Sequence, residues 1–325
     1  MNPRVQRMPV FGILLLFALS GLAHAGQSSP LTASTQLVIV TTADWGSVSG
    51  QAQLFEKHGP RDHWRRVGNP FEIVVGGAGL AWGAGVLPAN AQDVRAPSDP
   101  VKKEGDGKAP AGIFRLSKAF GYAAQPLAGS KLDYVALSPS IECVDDAASR
   151  YYNRIEDHAS VTPDWHSSEQ MRRSDDLYRW GVVVDHNSDP PQPGAGSCIF
   201  LHIWRGPGQG TVGCTAMPQA RIESLLEWLD PAKQPLLVQL PRLRFDALRK
   251  QLHLPKLRQL NRLPSRSPAM PSARRYCTLC NAALQPPRRR IRDWTVRLAR
   301  RRANRFLQID HGLVTSAIFQ FRVDG

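Results

Sequence analysis

Between residues 36 and 75 the chain is built of short runs rich in β-branched and apolar residues, each closed by glycine, proline or asparagine. Gln36-Leu37-Val38-Ile39-Val40-Thr41-Thr42 is the first; Gly50 to His58, His63 to Val67 and Phe71 to Val75 follow. Such runs predict short strands joined by tight turns. They exclude alternating strand–helix units, which need helical periodicity between the strands. Gly76-Gly77-Ala78-Gly79 comes after a strand but lacks the spacing of a dinucleotide fingerprint, and Trp82-Gly83 stands where a helix would begin. It predicts a tight β-turn.

The pattern continues to residue 241. Lys103 to Phe114 is a glycine- and proline-punctuated loop running into a strand. Tyr151 to Tyr178 is polar, aromatic and irregular, a segment suited to wrapping a core or covering a cleft. Trp180 to Asn187 and Cys198 to Ile203 predict two further strands. Pro218 opens a helix with Ile222, Leu225, Leu226 and Leu229 on one face, stopped at Asp230-Pro231. Pro235 to Pro241 predicts a closing strand.

The ends differ from this middle. Arg4 and Arg7, the apolar stretch Val10 to Leu22 and Ala23-His24-Ala25 have the form of a cleaved signal peptide over residues 1–25. The apolar stretch is short for a spanning helix, which needs about 20 residues. Residues 26–35 are a small polar linker. Export places the mature chain in the periplasm or cell wall. Between Arg242 and Arg305, 19 Lys and Arg face only Asp246 and Asp293, a net charge of +17, which leaves −3 for the rest of a +14 chain. The expectation for 242–325 is a basic, Arg/Pro-rich, largely disordered tail, with Leu243, Phe245, Leu248 and Leu252 able to continue one short amphipathic helix. Arginine runs suit an anionic polymer or a membrane surface; no aromatic interleaving or zinc-finger spacing points to nucleic acid.

The five cysteines are an odd number in an exported chain, so one at least is not in an internal pair. Cys277 and Cys280 form a lone CxxC without a second ligand pair, and no metal site is expected. Cys143 and Cys198 are candidates for a structural disulfide that would leave Cys214 free, a pairing that spacing does not establish.

The chemistry concentrates in Cys198-Ile199-Phe200-Leu201-His202-Ile203-Trp204 and Thr211-Val212-Gly213-Cys214. A histidine sits on an apolar strand, and Arg205 to Gly210, rich in turn formers, can bring a cysteine back to it. Cysteine attacks carbonyls as the thiolate, and an adjacent imidazole is the usual activator. Gly213 allows a conformation other residues resist, the amides of Gly213 and Cys214 can face an oxyanion, and the helix after Pro218 adds its positive end. A buried cysteine and a satisfied core histidine would look the same. Asp185-His186-Asn187 is a second polar cluster that can orient His202 or line the site.

These residues resemble the YkuD-type L,D-transpeptidases, in the branch related to ErfK. Thr211, Gly213 and Cys214 match the family's Thr-x-Gly-Cys signature, and His202 matches its upstream histidine. Gly105 to Phe114 is similar to its Thr-Pro-x-Gly-x-Phe region; Phe120-Gly121-Tyr122, Cys143-Val144-Asp145-Asp146 and Tyr178-Arg179-Trp180-Gly181 resemble the exported branch. The resemblance covers about Leu37 to Pro241. It departs at Val212, where many members carry His or Lys, and in a shorter loop between His202 and Cys214. It implies a mainly β, sandwich-like catalytic domain over 36–241 with a helix after the nucleophile. It implies an enzyme of peptidoglycan in which Cys214 forms a thioester with a tetrapeptide stem, with His202 as base, Gly213 at the oxyanion and the Ile203 carbonyl orienting the imidazole. Thr211, His186, Trp204 and Arg205 are then expected to bind substrate, and no cofactor is required. Transfer to an amine makes a 3→3 crosslink. L,D-carboxypeptidase activity and protein-to-wall anchoring use the same acyl-enzyme. A non-catalytic protein binding anionic wall polymer is the rival of another class, and the tail alone also admits an out-of-register reading of its coding DNA.

Overall fold

In the computed structural model the described residues are 30–59, 61–86 and 95–257. The expected signal peptide, the CxxC and the tail from residue 258 onward lie outside them.

The core is a mixed sheet that returns on itself. Its strands are β1 Gln36–Thr42, β2 Ser49–Glu56, β3 Arg65–Val74, β4 Leu80–Trp82, β5 Ala109–Gly121, β6 Asp133–Ala136, β10 Trp180–Val184, β11 Phe200–Ile203, β12 Thr215–Met217 and β13 Leu236–Pro241. The hydrogen-bonded order runs β10-β11-β12-β3-β2-β1-β13-β5-β4, and β10 also pairs with β5. The 13-residue β5 makes this closure possible: Gly112 to Arg115 pair with β13, and Leu116 to Gly121 pair with β10. A sandwich-like arrangement results, as the family resemblance implies; the strand pattern by itself points only to a β-rich chain.

β1 and β13 lie side by side and parallel, Leu37 opposite Leu236 and Thr41 opposite Leu240. β13 is buried along its whole length, and β1 except at Thr41, which suits near-continuous Val, Ile and Leu. The runs at 63–67 and 71–75 form one strand, β3, because Gly68 takes φ +63° and a register shift opposite Ala52–Leu54 absorbs Asn69-Pro70. Helix α2, Gln219–Trp228, follows β12 and lays Ile222, Leu225 and Leu226 against β10 and β11. Each such buried side chain contributes on the order of 1.5–3 kcal/mol.

The fold continues past Pro241. Arg242–Gln251 forms helix α3, which sets Phe245 and Leu248 against β13 and β1, with Leu252 and Leu254 also buried. At the other end Pro30–Ala33 is a single helical turn, α1, with Leu31 buried, so part of the expected linker packs on the core.

A second, three-stranded sheet stands beside the first: β7 Ile141–Val144 is central, flanked by β8 Ile155–Asp157 and β9 Ser168–Gln170. Cys143 in β7 forms a disulfide with Cys198, just before β11, and Cys214 is the free cysteine among the described residues. That bond closes a loop with a sequence separation of 55 residues. In the chain-entropy picture it contributes about 4 kcal/mol. Beneath it Phe120, Met171, Tyr178, Phe200 and Cys214 form a small second core.

Candidate active site

The site forms where β11 and β12 run parallel, His202 opposite Ala216 and Leu201 opposite Thr215. Alternation along β11 sends Leu201 and Ile203 into the main core and leaves Phe200 and His202 on the other face. Cys214 immediately precedes β12. The Phe200 amide donates to its Sγ at 3.3 Å, and its thiol donates to the Cys198 carbonyl at 3.5 Å. His202 and Cys214 line one cleft of about 240 Å³, with Trp204, Arg205, Thr211 and Gly213.

The loop carrying Cys214 is held by the glycine turn that precedes β4. Gly79 N–H donates to Gly76 O at 2.8 Å, which is the expected β-turn. Gly77 N–H donates to Thr211 O at 2.7 Å, and Thr211 N–H to Val75 O at 3.0 Å. The backbones come so close that a Cβ on Gly210 would lie 2.6 Å from Gly77 Cα. The glycine run therefore holds the loop that carries Cys214, and a strand, β4, follows it.

His202 donates Nδ1–H to the Ile203 carbonyl at 2.8 Å, the contact implied by the resemblance. A carbonyl only accepts, so Nδ1 carries the proton and Nε2 keeps its lone pair. Burial pushes the imidazole down to about 4, so it is neutral at pH 7. Burial, with the Glu169 carboxylate adding to it, pushes the Cys214 thiol up to about 12. Among the described residues no hydrogen bond joins His202 to Cys214. Burial thus favours a neutral thiol and a neutral imidazole at pH 7 over the thiolate expected from the sequence. The helix end gives little help: α2 begins only after the three residues of β12 and Pro218, and its field fades within about one turn.

Several expected roles need correction. His186 is 1% exposed and does not line the cleft. Its Nε2–H donates to Ala195 O at 3.1 Å, while its buried Nδ1 has no hydrogen-bond partner among the described residues. It supports the 188–197 loop together with Asn187 and Asn153. The Asn153 side chain donates to the carbonyls of His186 and Asn187 at 2.8 and 2.7 Å and accepts from Cys198 N–H at 2.9 Å. Thr211 Oγ1 donates to Cys214 O at 2.6 Å and accepts from Gly213 N–H at 3.2 Å. Its hydroxyl clamps the turn, and the Gly213 amide is already engaged. Gly213 is not at positive φ; what limits it is space, since a Cβ there would lie 3.3 Å from Lys108 O.

The sequence reading missed the far wall of the cleft, where Glu104, Asp145, Glu169, Arg173 and Tyr178 lie. The polar, aromatic Tyr151 to Tyr178 stretch points to a segment wrapping the core or covering a cleft, without choosing between them. Nothing local marked Glu169, whose position follows from the small sheet.

A family model, the YkuD L,D-transpeptidase catalytic domain, matches residues 51–238. No curated protein and no solved structure matches the chain.

Proposed function

Since the chain belongs to the YkuD family of L,D-transpeptidases, we propose that Cys214 is the nucleophile and His202 the base of a peptidoglycan L,D-transpeptidase that works through a thioester. The observation that carries this reading is that β11 and the entry to β12 set both side chains on one cleft, with the imidazole already in the tautomer that accepts a proton at Nε2.

In the first half-reaction Sγ attacks the carbonyl carbon that joins the L-centre of diaminopimelate to the terminal D-Ala of a tetrapeptide stem. The thiol proton passes to His202 Nε2. The C–N bond then breaks, that proton leaves on the amine of D-Ala, and the thioester remains. In the second half-reaction an amine of a neighbouring stem attacks the thioester, loses its proton to Nε2, and the thiol is restored as the 3→3 amide forms. Burial holds the thiol up and the imidazole down, so thiolate and imidazolium are both disfavoured before bonding to carbon begins. Proton transfer is therefore concerted with C–S bond formation. The S–H bond to Cys198 O, at 3.5 Å, is weak, and little is lost when it turns toward Nε2. Export of the mature chain to the periplasm or cell wall belongs to the same proposal, because the substrate lies there.

Intact-mass measurement with a tetrapeptide stem and with a carbapenem tests the assignment. The expected result is an adduct on the wild-type chain that is absent from Cys214→Ser; an adduct retained by that variant would overturn it. Muropeptide products separate crosslinking from hydrolysis.

A further inference from the structure

Glu104 lies in the loop before β5 and lines the cleft that holds Cys214. It is exposed, yet its carboxylate is fixed. Tyr152 Oη donates to Oε2 at 2.5 Å, and Ser197 Oγ donates to the same oxygen at 2.7 Å. Both donors are buried. Tyr152 Oη in turn accepts from Gly196 N–H at 3.2 Å, and Glu104 N–H donates to Gly194 O at 2.9 Å. Most surface glutamates keep their rotamer freedom; here main chain and side chain are both held, so the entropy of ordering the group is spent in folding rather than on binding.

A carboxylate oxygen offers about two acceptor sites. Oε2 uses both. Among the described residues no hydrogen bond reaches Oε1 and no cation pairs with Glu104. Two cations that line the same cleft are engaged elsewhere: Lys102 Nζ donates to Asp106 Oδ1 at 2.6 Å, and Arg173 makes two bonds to Asp175, both 2.9 Å. Ser197, which orients Glu104, directly precedes Cys198, whose carbonyl accepts from the Cys214 thiol at 3.5 Å. One short segment thus touches both the nucleophile and the fixed carboxylate.

We propose that Glu104 is a specificity-determining residue whose free oxygen binds the ammonium group of the acceptor stem beside the Cys214 thioester, favouring crosslinking over hydrolysis. This rests on the reading of Cys214 and His202 as the reacting pair. The bound ammonium gives one proton to water before it attacks; the neutral amine then adds to the thioester carbonyl and passes its next proton to His202 Nε2, as in the second half-reaction above. Glu104 makes no covalent bond.

Glu104→Gln separates this role from a structural one. The amide oxygen of Gln can keep both bonds from Tyr152 and Ser197, while its NH₂ then stands where Oε1 was and offers only donors to an ammonium group. The full chain is given a tetrapeptide stem as donor and a tripeptide stem ending in diaminopimelate as acceptor, and crosslinked and hydrolysed products are counted by mass spectrometry. The variant should raise the acceptor KM by about 5–10-fold, the difference between a charge-assisted and a neutral hydrogen bond. The crosslink-to-hydrolysis ratio at low acceptor should fall by the same factor, and the carbapenem adduct on Cys214 should form at the wild-type rate. Raising salt from about 50 mM to about 500 mM should weaken acceptor binding in the wild type and leave the variant nearly unmoved. An unchanged acceptor KM, an effect confined to the donor stem, or a wild-type chain that only hydrolyses would overturn the proposal. Should the variant not fold, a wild-type acceptor KM indifferent to salt overturns it equally. A wild-type chain without the carbapenem adduct is instead failure of the nucleophile reading, which Cys214→Ser reports separately.

Discussion

Nδ1 of His202 donates to the carbonyl of the very next residue, Ile203, at 2.8 Å. The bond folds the imidazole back along its own strand and needs no carboxylate partner to select the tautomer. The imidazole set in this way is neutral at pH 7, and in the proposed mechanism its removal has a definite consequence. His202→Gln should keep the fold and lower the rate of thioester formation by about 10²–10⁴-fold, the range of a positioned acid–base group. Stopped-flow acylation by a carbapenem, beside a thermal melt of the same variant, measures both.

The pH dependence of acylation follows from the same burial. In the proposed mechanism His202 works only when neutral, and burial pushes its midpoint down to about 4. The acid limb of the rate profile should therefore fall near pH 4, well below the ordinary imidazole value of about 6.5. An acid limb at pH 6–7 would show a solvated or carboxylate-paired imidazole instead.

Stability has a matching signature. His202 and His186 both have folded midpoints near 4, below the value of an unfolded chain. Between about pH 6.5 and 4 the unfolded state binds more protons, so stability falls as pH falls through this window. The contribution is complete above pH 6.5, and on the order of a few kcal/mol should be lost by pH 4. Chemical denaturation at pH 7.5 and 4.5 reads the difference; replacing His186 by Gln should reduce the dependence.

Gly210→Ala tests the seat of the nucleophile loop. The added Cβ would lie 2.6 Å from Gly77 Cα, which is backbone and has little room to yield. Displacement of the Thr211–Cys214 turn should reduce carbapenem acylation by an order of magnitude or more while the far-ultraviolet spectrum stays that of the wild type.

Gln239 ties this turn to the core from the other side. It is fully buried in β13, accepts from Thr215 Oγ1 at 2.7 Å and donates to Pro110 O at 2.8 Å. Gln239→Leu leaves both groups buried without that partner and should destabilise the protein by about 1–3 kcal/mol. Urea unfolding of the variant gives the value directly.

Much of this molecule was legible along the chain because the signals are local. β1, β13 and α2 follow from unbroken or helically spaced apolar residues. The turn at Gly76–Gly79 follows from glycine, and the meeting of His202 with Cys214 in one cleft from a strand and a turn-rich return. The odd cysteine could be seen, and Cys143 and Cys198 could be named as a candidate pair, though spacing did not establish the bond that the fold makes. Other features depend on residues far apart in sequence. β5 joins the two layers because its halves pair with different strands. Phe245 and Leu248 become core only once β1 and β13 lie beside them, so a basic segment that looks unsupported is packed. His186, polar at a strand end, is enclosed by the 188–197 loop and Asn153, and the amide of Gly213 is taken by Thr211. Side-chain type and spacing are properties of the chain and decide which elements form and which atoms can react. Burial is a property of the assembled layers, and here it pushes the His202 imidazole down and the Cys214 thiol up and sets Tyr178 against His202.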